Sequence, residues 1–125
     1  MAVQQSEWLQ VKRIPGKGRG VVASRRIPAN TVIERAPVLV LPVSEVDAGK
    51  LSDYVYDWGR NTVGLALGFG SLYNHSFTPN ARYDDVGVQT KVFTTLREIE
   101  AGEEVTINYN GEPDIKTAVH FDVQD

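Results

Sequence analysis

The sequence of 125 residues contains no cysteine and only two histidines. A disulfide framework and a thiolate zinc site are therefore excluded, no metal site is expected, and any chemistry must use other groups. No apolar run approaches the length of a transmembrane helix. The opening stretch MAVQQSEWLQVK has neither a basic segment followed by an apolar run nor an arginine-rich amphipathic pattern. We therefore expect an intracellular, soluble protein with no membrane segment.

Basic runs are also scarce, since none is longer than Arg25-Arg26. With 13 Lys and Arg against 16 Asp and Glu, the net charge is -3 at pH 7. Proteins that bind nucleic acid usually carry a basic patch, so no direct nucleic-acid partner is expected. A basic protein or peptide is the more natural partner. The length is that of one domain, which buries roughly two thirds of its unfolded surface, and a single domain over 1–125 is expected.

Short apolar segments separated by Pro, Gly and Asn favour strands over helices. The pattern predicts strands at 8–14, 20–24, 31–42 and 104–109, and a hairpin formed by 82–85 and 88–95. In the last strand, alternation places Val105, Ile107 and Tyr109 on one face. Apolar residues spaced three and four apart predict a short helix over 51–61. The fold class is mainly β with few short helices, and irregular loops usually carry the function of such domains.

Four segments contain residues suited to a site, although each alone is more typical of structure than of function. GKGRG at 16–20 could bring backbone close to a ligand, but the spacings of dinucleotide and phosphate loops are absent. GLALGFG at 64–70 indicates close backbone packing. YNHSFTPNARY at 73–83 includes a glycosylation pattern, which is discounted without a secretory signal. EEVTINY at 103–109 ends on a tyrosine whose ring could simply pack at the rim of the core.

Taken together, three segments resemble in order and spacing the signature motifs of SET-domain protein-lysine methyltransferases. These are Gly18-Arg19-Gly20, Asn74-His75-Ser76 with Pro79-Asn80, and GEEVTINY at 102–109. The resemblance spans roughly 8–110 and is most similar to the minimal SET proteins of chlorella viruses and bacteria. It implies a β-clip-like fold of short sheets, in which the C-terminal segment passes under or through the N-H-S loop as a pseudo-knot.

The resemblance implies S-adenosylmethionine as the cofactor and a lysine in a basic, histone-like protein tail as the methyl acceptor. Cofactor contacts are expected from Lys17, Gly18, Arg19, Gly20, Tyr54, Asn74, His75, Tyr109 and Phe121. Within this set, Arg19 or Lys17 would face the cofactor carboxylate. Asn74 would bind the ammonium end and His75 the adenine edge, mainly through backbone groups. Residues 111–125 would form a tail that closes the site, with Ile115, Val119, His120 and Phe121 as covers, and a homodimer is expected by analogy.

Tyr109 is the expected catalytic residue, with Tyr83 and Tyr54 lining the lysine channel. The basic tail is expected to be drawn by a groove lined with acids such as Asp84, Asp85, Glu103 and Glu104. The chain departs from the family pattern at Asn108, where an aspartate is usual, at Ile107, where an aromatic residue is usual, and at Phe77, where a cysteine is usual. The alternative is a SET-like module that has lost catalysis and binds a peptide or protein. Retention of Tyr109 with Asn74-His75 favours the enzyme.

Overall fold

The computed structural model describes residues 6–46 and 49–114. Within this part of the chain, two 3-10 helices, Val43–Glu45 and Lys50–Tyr54, interrupt a succession of strands. The strands are β1 (Leu9–Ile14), β2 (Gly18–Ala23), β3 (Val32–Pro42), β4 (Val55–Asp57), β5 (Thr62–Ala66), β6 (Asn74–His75), β7 (Ala81–Val86), β8 (Thr90–Thr95) and β9 (Thr106–Ile107). The mainly β class with few short helices is confirmed. No helix in the described ranges has the length and apolar character needed to span a membrane.

Three small sheets make up the architecture. A five-stranded antiparallel sheet has the order β4-β5-β3-β8-β7, β1 and β2 form a hairpin, and β6 and β9 form a short parallel pair. In the β1–β2 turn, Gly16 and Gly18 have φ angles of 79° and 80°. Side chains rarely adopt this left-handed conformation, so the alternating glycines of GKGRG are needed first of all to reverse the chain.

The predicted helix over 51–61 is wrong, because only Lys50–Tyr54 is helical, as a 3-10 turn, and β4 follows directly. β4 pairs with β5 through Val55 opposite Leu65 and Asp57 opposite Val63. This pairing provides backbone hydrogen bonds that override the weak helical spacing. Of the alternating aromatic residues Tyr54, Tyr56 and Trp58, only Tyr56 lies within β4, and the other two flank the strand. Aromatic residues at every second position are typical of a half-buried sheet face, so this spacing is compatible with the strand.

The predicted hairpin is present. Its first strand, β7, is longer than predicted, and its second strand, β8, is shorter. Gly87 completes its turn with a φ of 64°. The buried face of β8 carries Lys91 and Phe93, which lie opposite Asp85 and Tyr83 of β7. On the other side of β8, Ala36 and Glu34 of β3 continue the same two rows. This face of the sheet therefore contains charged and aromatic side chains next to one another.

The segment 102–109 runs between the β1–β2 hairpin and the Asn74–Ser76 stretch. On one side, the Val105 N–H donates to the Val21 carbonyl over 2.8 Å. On the other side, β9 pairs in parallel with β6, and the Ser76 N–H donates to the Ile107 carbonyl over 2.9 Å. This course agrees with the one implied for the C-terminal segment. Because neighbours lie on both sides, the residues from Val105 to Asn108 are all buried and the predicted alternation does not separate a solvent face.

Asn80 joins this segment to the loop that follows the N-H-S motif. Its side-chain amide donates to the Glu104 carbonyl over 2.8 Å, and its side-chain oxygen accepts from the Thr106 N–H over 2.9 Å. The residue is 3% exposed. Its side chain therefore provides hydrogen-bond partners for two backbone groups of the segment. This role explains the asparagine of the Pro-Asn motif.

We expect Asn80→Ala to lower the free energy of unfolding by about 2–4 kcal/mol, because it leaves a buried donor and a buried acceptor without a partner. Urea unfolding followed by circular dichroism measures the change. Gln10→Ala is the matched control, since it removes an exposed side-chain amide from β1 and should have little effect. Equal small changes for both variants would contradict the role assigned to Asn80.

Candidate active site

Two pockets lie side by side and share a wall. The larger pocket has a volume of about 960 Å³ and extends from the β1–β2 turn to the Tyr73–His75 stretch. The smaller pocket has a volume of about 490 Å³ and lies between β4, β7 and the end of the C-terminal segment. The shared lining residues are Asp53, Tyr54, Ser71, Tyr73 and Tyr109. The two pockets are therefore adjacent, with these residues between them.

The larger pocket gathers most of the residues expected to bind the cofactor. Its lining includes Lys17, Gly18, Arg19, Tyr54, Asn74, His75 and Tyr109. Gly20 does not line the pocket but lies directly behind it, since a Cβ added at Gly20 would lie 2.5 Å from Asn74 Nδ2. Phe121 and the other expected covers, Ile115, Val119 and His120, lie outside the described residues.

An ion pair and two hydrogen bonds organise one wall of the larger pocket. Lys17 Nζ lies 2.8 Å from Glu104 Oε1, and Asn74 Nδ2 donates to Glu104 Oε2 over 2.7 Å. Asn74 Nδ2 also donates to the Arg19 carbonyl over 3.0 Å. The Glu104 carboxylate thus joins the glycine-rich turn to the N-H-S motif. Sequence reasoning assigned Glu104 to a groove for a cationic substrate, and the structure corrects this assignment.

The other three expected groove acids are also separated. Glu103 pairs with Arg97, and Asp84 pairs with Arg82 at the surface. Only Asp85 lines the smaller pocket, where Asp53 and Asp57 accompany it. Of the four acids expected in the groove, only Asp85 therefore lines a pocket, while Asp84, Glu103 and Glu104 form ion pairs with Arg82, Arg97 and Lys17. The smaller pocket is acidic nonetheless, through two aspartates that the sequence pattern did not identify.

Tyr109 is held at both ends. Its backbone N–H donates to His75 Nδ1 over 3.0 Å, so this ring nitrogen carries no proton. Its hydroxyl donates to the Tyr73 carbonyl over 2.5 Å. The His75 ring is buried and packs edge-on against Phe77. His75 therefore uses its side chain to fix Tyr109, which leaves its backbone to face the larger pocket.

The hydroxyls of Tyr109 and Tyr83 are protonated donors at neutral pH. Burial raises the pKa of Tyr109 to about 12, and the nearby Glu104 carboxylate adds to the effect. Burial likewise raises the pKa of Tyr83 to about 12, with a contribution from Asp85. The Tyr83 hydroxyl donates to the Tyr109 carbonyl over 3.2 Å. The two predicted catalytic and channel tyrosines are thus hydrogen-bonded neighbours.

Tyr73 and Glu34 were not identified from the sequence. The Tyr73 hydroxyl donates to Glu34 Oε1 over 2.8 Å, and the Phe69 N–H donates to Glu34 Oε2 over 2.7 Å. Burial raises the pKa of Glu34, while these two donors oppose the shift. A Cβ on Gly68 would lie 2.5 Å from Glu34 Oε2, so the glycine-rich run serves close packing, as the sequence suggested. Glu34 thereby fixes the tyrosine whose carbonyl receives Tyr109.

The smaller pocket is lined by aromatic rings and carries a lysine within it. The rings of Tyr56 and Tyr83 meet edge to face with centroids 5.2 Å apart. Lys91 also lines the pocket and forms an ion pair with Asp85. Tyr54 lines both pockets, as expected for a residue assigned to cofactor and channel alike. Tyr56 and Lys91 were missed, although the alternation Tyr54-x-Tyr56-x-Trp58 would have revealed the aromatic strand.

The two pockets differ in the sign of their charged residues. The larger pocket is lined by the bases Lys12, Arg13, Lys17 and Arg19 and by a single acid, Asp53. The smaller pocket is lined by the acids Asp53, Asp57 and Asp85 and by a single base, Lys91. An anionic group therefore fits the larger pocket, whereas a cationic side chain is attracted to the smaller one.

This geometry and the sequence comparison lead to the same class of protein. The family model for the SET domain matches residues 18–110, and the chain belongs to the SET-domain family. It is a protein-lysine methyltransferase, an enzyme class that generally uses S-adenosylmethionine. A Schizosaccharomyces pombe relative, a histone-lysine N-methyltransferase specific for H3 lysine-37, is 40% identical over 106 residues, covering 81% of this chain and 72% of the relative.

A solved structure supports the same assignment. The crystal structure of a candidate histone methyltransferase from Plasmodium falciparum superposes with a TM-score of 0.71 at 28% identity. The match covers 86% of this chain and 95% of that one. Both relatives are eukaryotic proteins, so these similarities do not support the more specific likeness to viral and bacterial SET proteins.

The raised pKa of Tyr109 leads us to expect that the stability of the folded protein depends on pH above pH 10. An unfolded tyrosine ionises near pH 10, whereas Tyr109 in the folded protein ionises only near its raised pKa of about 12. The folded state binds more protons between these values, so stability falls as the pH rises through them. We expect a shallower fall for Tyr109→Phe in urea unfolding from about pH 8 to about pH 11. Parallel curves for the two proteins would contradict the raised pKa.

Proposed function

We propose that the protein binds S-adenosylmethionine in the larger pocket and methylates a lysine of a histone-like protein whose side chain enters the smaller pocket. The observation that carries this proposal is the shared wall, where Tyr109 and Tyr73 line two pockets of opposite charge. A methyl donor and an amine acceptor must meet end to end. Two separate pockets that open onto one tyrosine provide that arrangement.

The residues of the larger pocket fit the cofactor. Its volume of about 960 Å³ is in the upper range of small-molecule sites. Lys17 is already paired with Glu104, so Arg19 is the better partner for a carboxylate at this wall. S-adenosylmethionine, when bound, supplies an electrophilic methyl group on a sulfonium. The role of the protein is to bind its polar ends and to present the methyl group to the shared wall.

The smaller pocket fits a lysine side chain. Its carboxylates attract the ammonium group at the opening, and the rings of Tyr54, Tyr56 and Tyr83 contact the aliphatic stem. Loss of the ammonium proton at neutral pH costs about 4–5 kcal/mol for an ordinary lysine pKa of about 10.4. Desolvation among aromatic rings reduces that cost. A dedicated general base is therefore not required.

Tyr109 aligns the reacting groups. Methyl transfer would need the acceptor nitrogen in line with the bond from the methyl carbon to the leaving sulfur, so its rate would depend on this alignment and on polar groups placed in advance. The Tyr109 hydroxyl is oriented by its hydrogen bond to the Tyr73 carbonyl, and the backbone of Tyr109 is held by His75 and Tyr83. These contacts keep the hydroxyl and the carbonyl fixed at the shared wall.

The acceptor follows from charge and from the relatives. The relative from Schizosaccharomyces pombe acts on histone H3, and a histone tail has the positive charge that the smaller pocket attracts. The net charge of -3 supports a protein rather than a nucleic acid as the direct partner, and histones place the reaction inside the cell. We also propose that the protein forms a homodimer. Light scattering of the purified protein measures this oligomeric state.

Calorimetric titration with S-adenosylmethionine, paired with radiolabelled methyl transfer to recombinant histone H3, tests the proposed function. We expect saturable binding together with transfer to a lysine. Binding without transfer to H3 or to mixed histones would favour the alternative, a SET-like module that has lost catalysis. No binding by the folded protein would contradict the assignment of the larger pocket.

For the catalytic role, we expect Tyr109→Phe to leave the cofactor affinity nearly unchanged and to lower turnover by about 100-fold or more, since only the oriented hydroxyl is removed. Calorimetry measures the first quantity and methyl transfer the second. Ser44→Ala is the control because it removes an exposed hydroxyl outside both pockets and should change neither quantity. Equal losses of affinity and turnover in Tyr109→Phe would contradict the role assigned to its hydroxyl.

For the cofactor site, we expect Gly20→Ala to weaken binding of S-adenosylmethionine by about tenfold or more, because a Cβ in this space displaces neighbouring groups. The added atom would lie 2.6 Å from Glu104 Oε2 as well as 2.5 Å from Asn74 Nδ2. Gly49→Ala is the control, since its Cβ meets nothing within 4 Å. Unchanged affinity in folded Gly20→Ala would show that the Glu104 cluster does not shape the pocket.

A further inference from the structure

Lys91 lines the smaller pocket, and its buried ammonium group is surrounded by aromatic rings. Its Nζ lies 4.0 Å from the ring centroid of Tyr56, 4.0 Å from that of Tyr83 and 5.4 Å from that of Trp58. The same atom lies 2.6 Å from Asp85 Oδ1. The Lys91 side chain is 1% exposed. A lysine of the protein therefore occupies an aromatic cage in the pocket proposed to receive a lysine of the substrate.

The five-stranded sheet explains how this cage forms. Lys91 lies opposite Asp85 of β7 on one side and opposite Ala36 of β3 on the other. The small side chain of Ala36 leaves space above the sheet for the lysine stem. Tyr56 reaches the same face from β4, where it pairs with Gly64. Burial, the two rings and the Asp85 carboxylate hold the ammonium group in place.

The contacts indicate that Lys91 is charged. Burial lowers the pKa of Lys91 below its ordinary value, while the hydrogen bond and the charge of Asp85 oppose this shift. Two ring faces at 4.0 Å further stabilise the cation. The partner carboxylate is on the outer side, since the Asp85 side chain is 45% exposed. The pocket thus has negative charge towards solvent and a buried positive charge further in.

We propose that Lys91 is a resident cation that makes the smaller pocket accept the target lysine as a neutral amine, and that it acts as a positioning residue for methyl transfer. This inference rests on the proposed function. The outer carboxylates attract the ammonium form to the opening. Further in, a like charge disfavours the ammonium form relative to the amine. Lys91 also covers the faces of Tyr56 and Tyr83, so the incoming ammonium cannot rest in that cage.

Charged and titratable side chains from several elements surround Lys91 in the described part of the chain. From β7, Asp85 pairs with Lys91 and Asp84 adds a weaker attraction. From β4 and the preceding turn, the pocket receives Asp57 and Asp53. From β3, Glu34 lies one row away from Lys91 on the sheet face. The neighbouring phenols of Tyr56, Tyr83 and Tyr109 have raised pKa values and are uncharged at neutral pH. Lys91 is the one basic residue among these groups.

The pH profile of methyl transfer separates an electrostatic role from a structural one. We would measure kcat on recombinant histone H3 from about pH 6.5 to about pH 10, because kcat reports groups in the enzyme–substrate complex. For Lys91→Met, we expect the rise of kcat with pH to shift upward by about one unit. Activity near neutral pH then falls about tenfold and returns at high pH. Lys91→Arg should restore the wild-type profile, and Lys50→Met, at an exposed lysine outside both pockets, is the matched control.

A loss of kcat in Lys91→Met that is equal at every pH would mean a structural role and would overturn the proposal. If that variant does not fold, Lys91→Gln and Lys91→Arg provide the same comparison, with the shift expected in the first and not in the second. Methylation of Lys91 itself, detected by mass spectrometry after incubation with S-adenosylmethionine alone, would also overturn it, because the residue would then be an acceptor.

A second measurement needs no substrate. In the wild-type protein with isotopically labelled lysine, NMR titration of the Lys91 side chain, assigned by its absence from Lys91→Arg, reports its charge directly. We expect a cation throughout the pH range in which the enzyme is active. A neutral Lys91 at neutral pH would overturn the inference. If the wild-type protein binds the cofactor but does not methylate H3, the acceptor in the proposed function is wrong. The NMR titration then still tests the inference about Lys91, because it measures the charge of that side chain without a substrate.

Discussion

The parallel contact between β6 and β9 is the constraint on which the site depends. It is only two residues long on each strand, yet it brings Asn74-His75 next to the segment that ends at Tyr109. The hydrogen bond from the Tyr109 N–H to His75 follows directly from this pairing. The β1–β2 hairpin then packs on the other side of the segment and brings Lys17 to Glu104. Two stretches that are distant in sequence therefore meet at the segment 102–109.

A second layer of contacts comes from the large sheet. Phe93 of β8 stacks on the Tyr73 ring with centroids 4.4 Å apart, and Glu34 of β3 binds the Tyr73 hydroxyl. The sheet thus supports the shared wall from behind and also provides the cage around Lys91. One side of the site is built by threading of the C-terminal segment, and the other by ordinary strand pairing. The opposite charges of the two pockets reflect these separate origins.

The motif residues could be predicted from the sequence because their roles are local and backbone-based. Gly18, Asn74 and His75 line the larger pocket as expected, and Tyr109 lies at the shared wall. Their assigned roles in cofactor binding and catalysis stay predictions. The location of Glu104 could not be predicted, since a carboxylate next to an exposed-looking strand says nothing about which distant lysine it meets. Lys91 illustrates the same limit, because a lysine in an alternating hairpin is normally a solvent-facing residue.

The aromatic strand was missed for a different reason. The spacing of Leu51, Tyr54, Val55 and Trp58 fits a helix, and the pairing with β5 that makes it a strand depends on residues farther along the chain. Tertiary pairing decides such cases, because strand preference depends on the neighbours that a side chain packs against. The alternation of Tyr54, Tyr56 and Trp58 was the better guide at this position.

The docking of segment 102–109 has a consequence for local unfolding. This segment contributes Tyr109 to both pockets, Glu104 to the cluster behind the larger pocket, and the backbone groups that Asn80 binds. When it separates from β6, the wall between the pockets is lost as a unit, even if the large sheet stays folded. Proteins open in such cooperative units at free energies below that of global unfolding. Local opening of this segment would therefore remove both sites together, without unfolding of the large sheet.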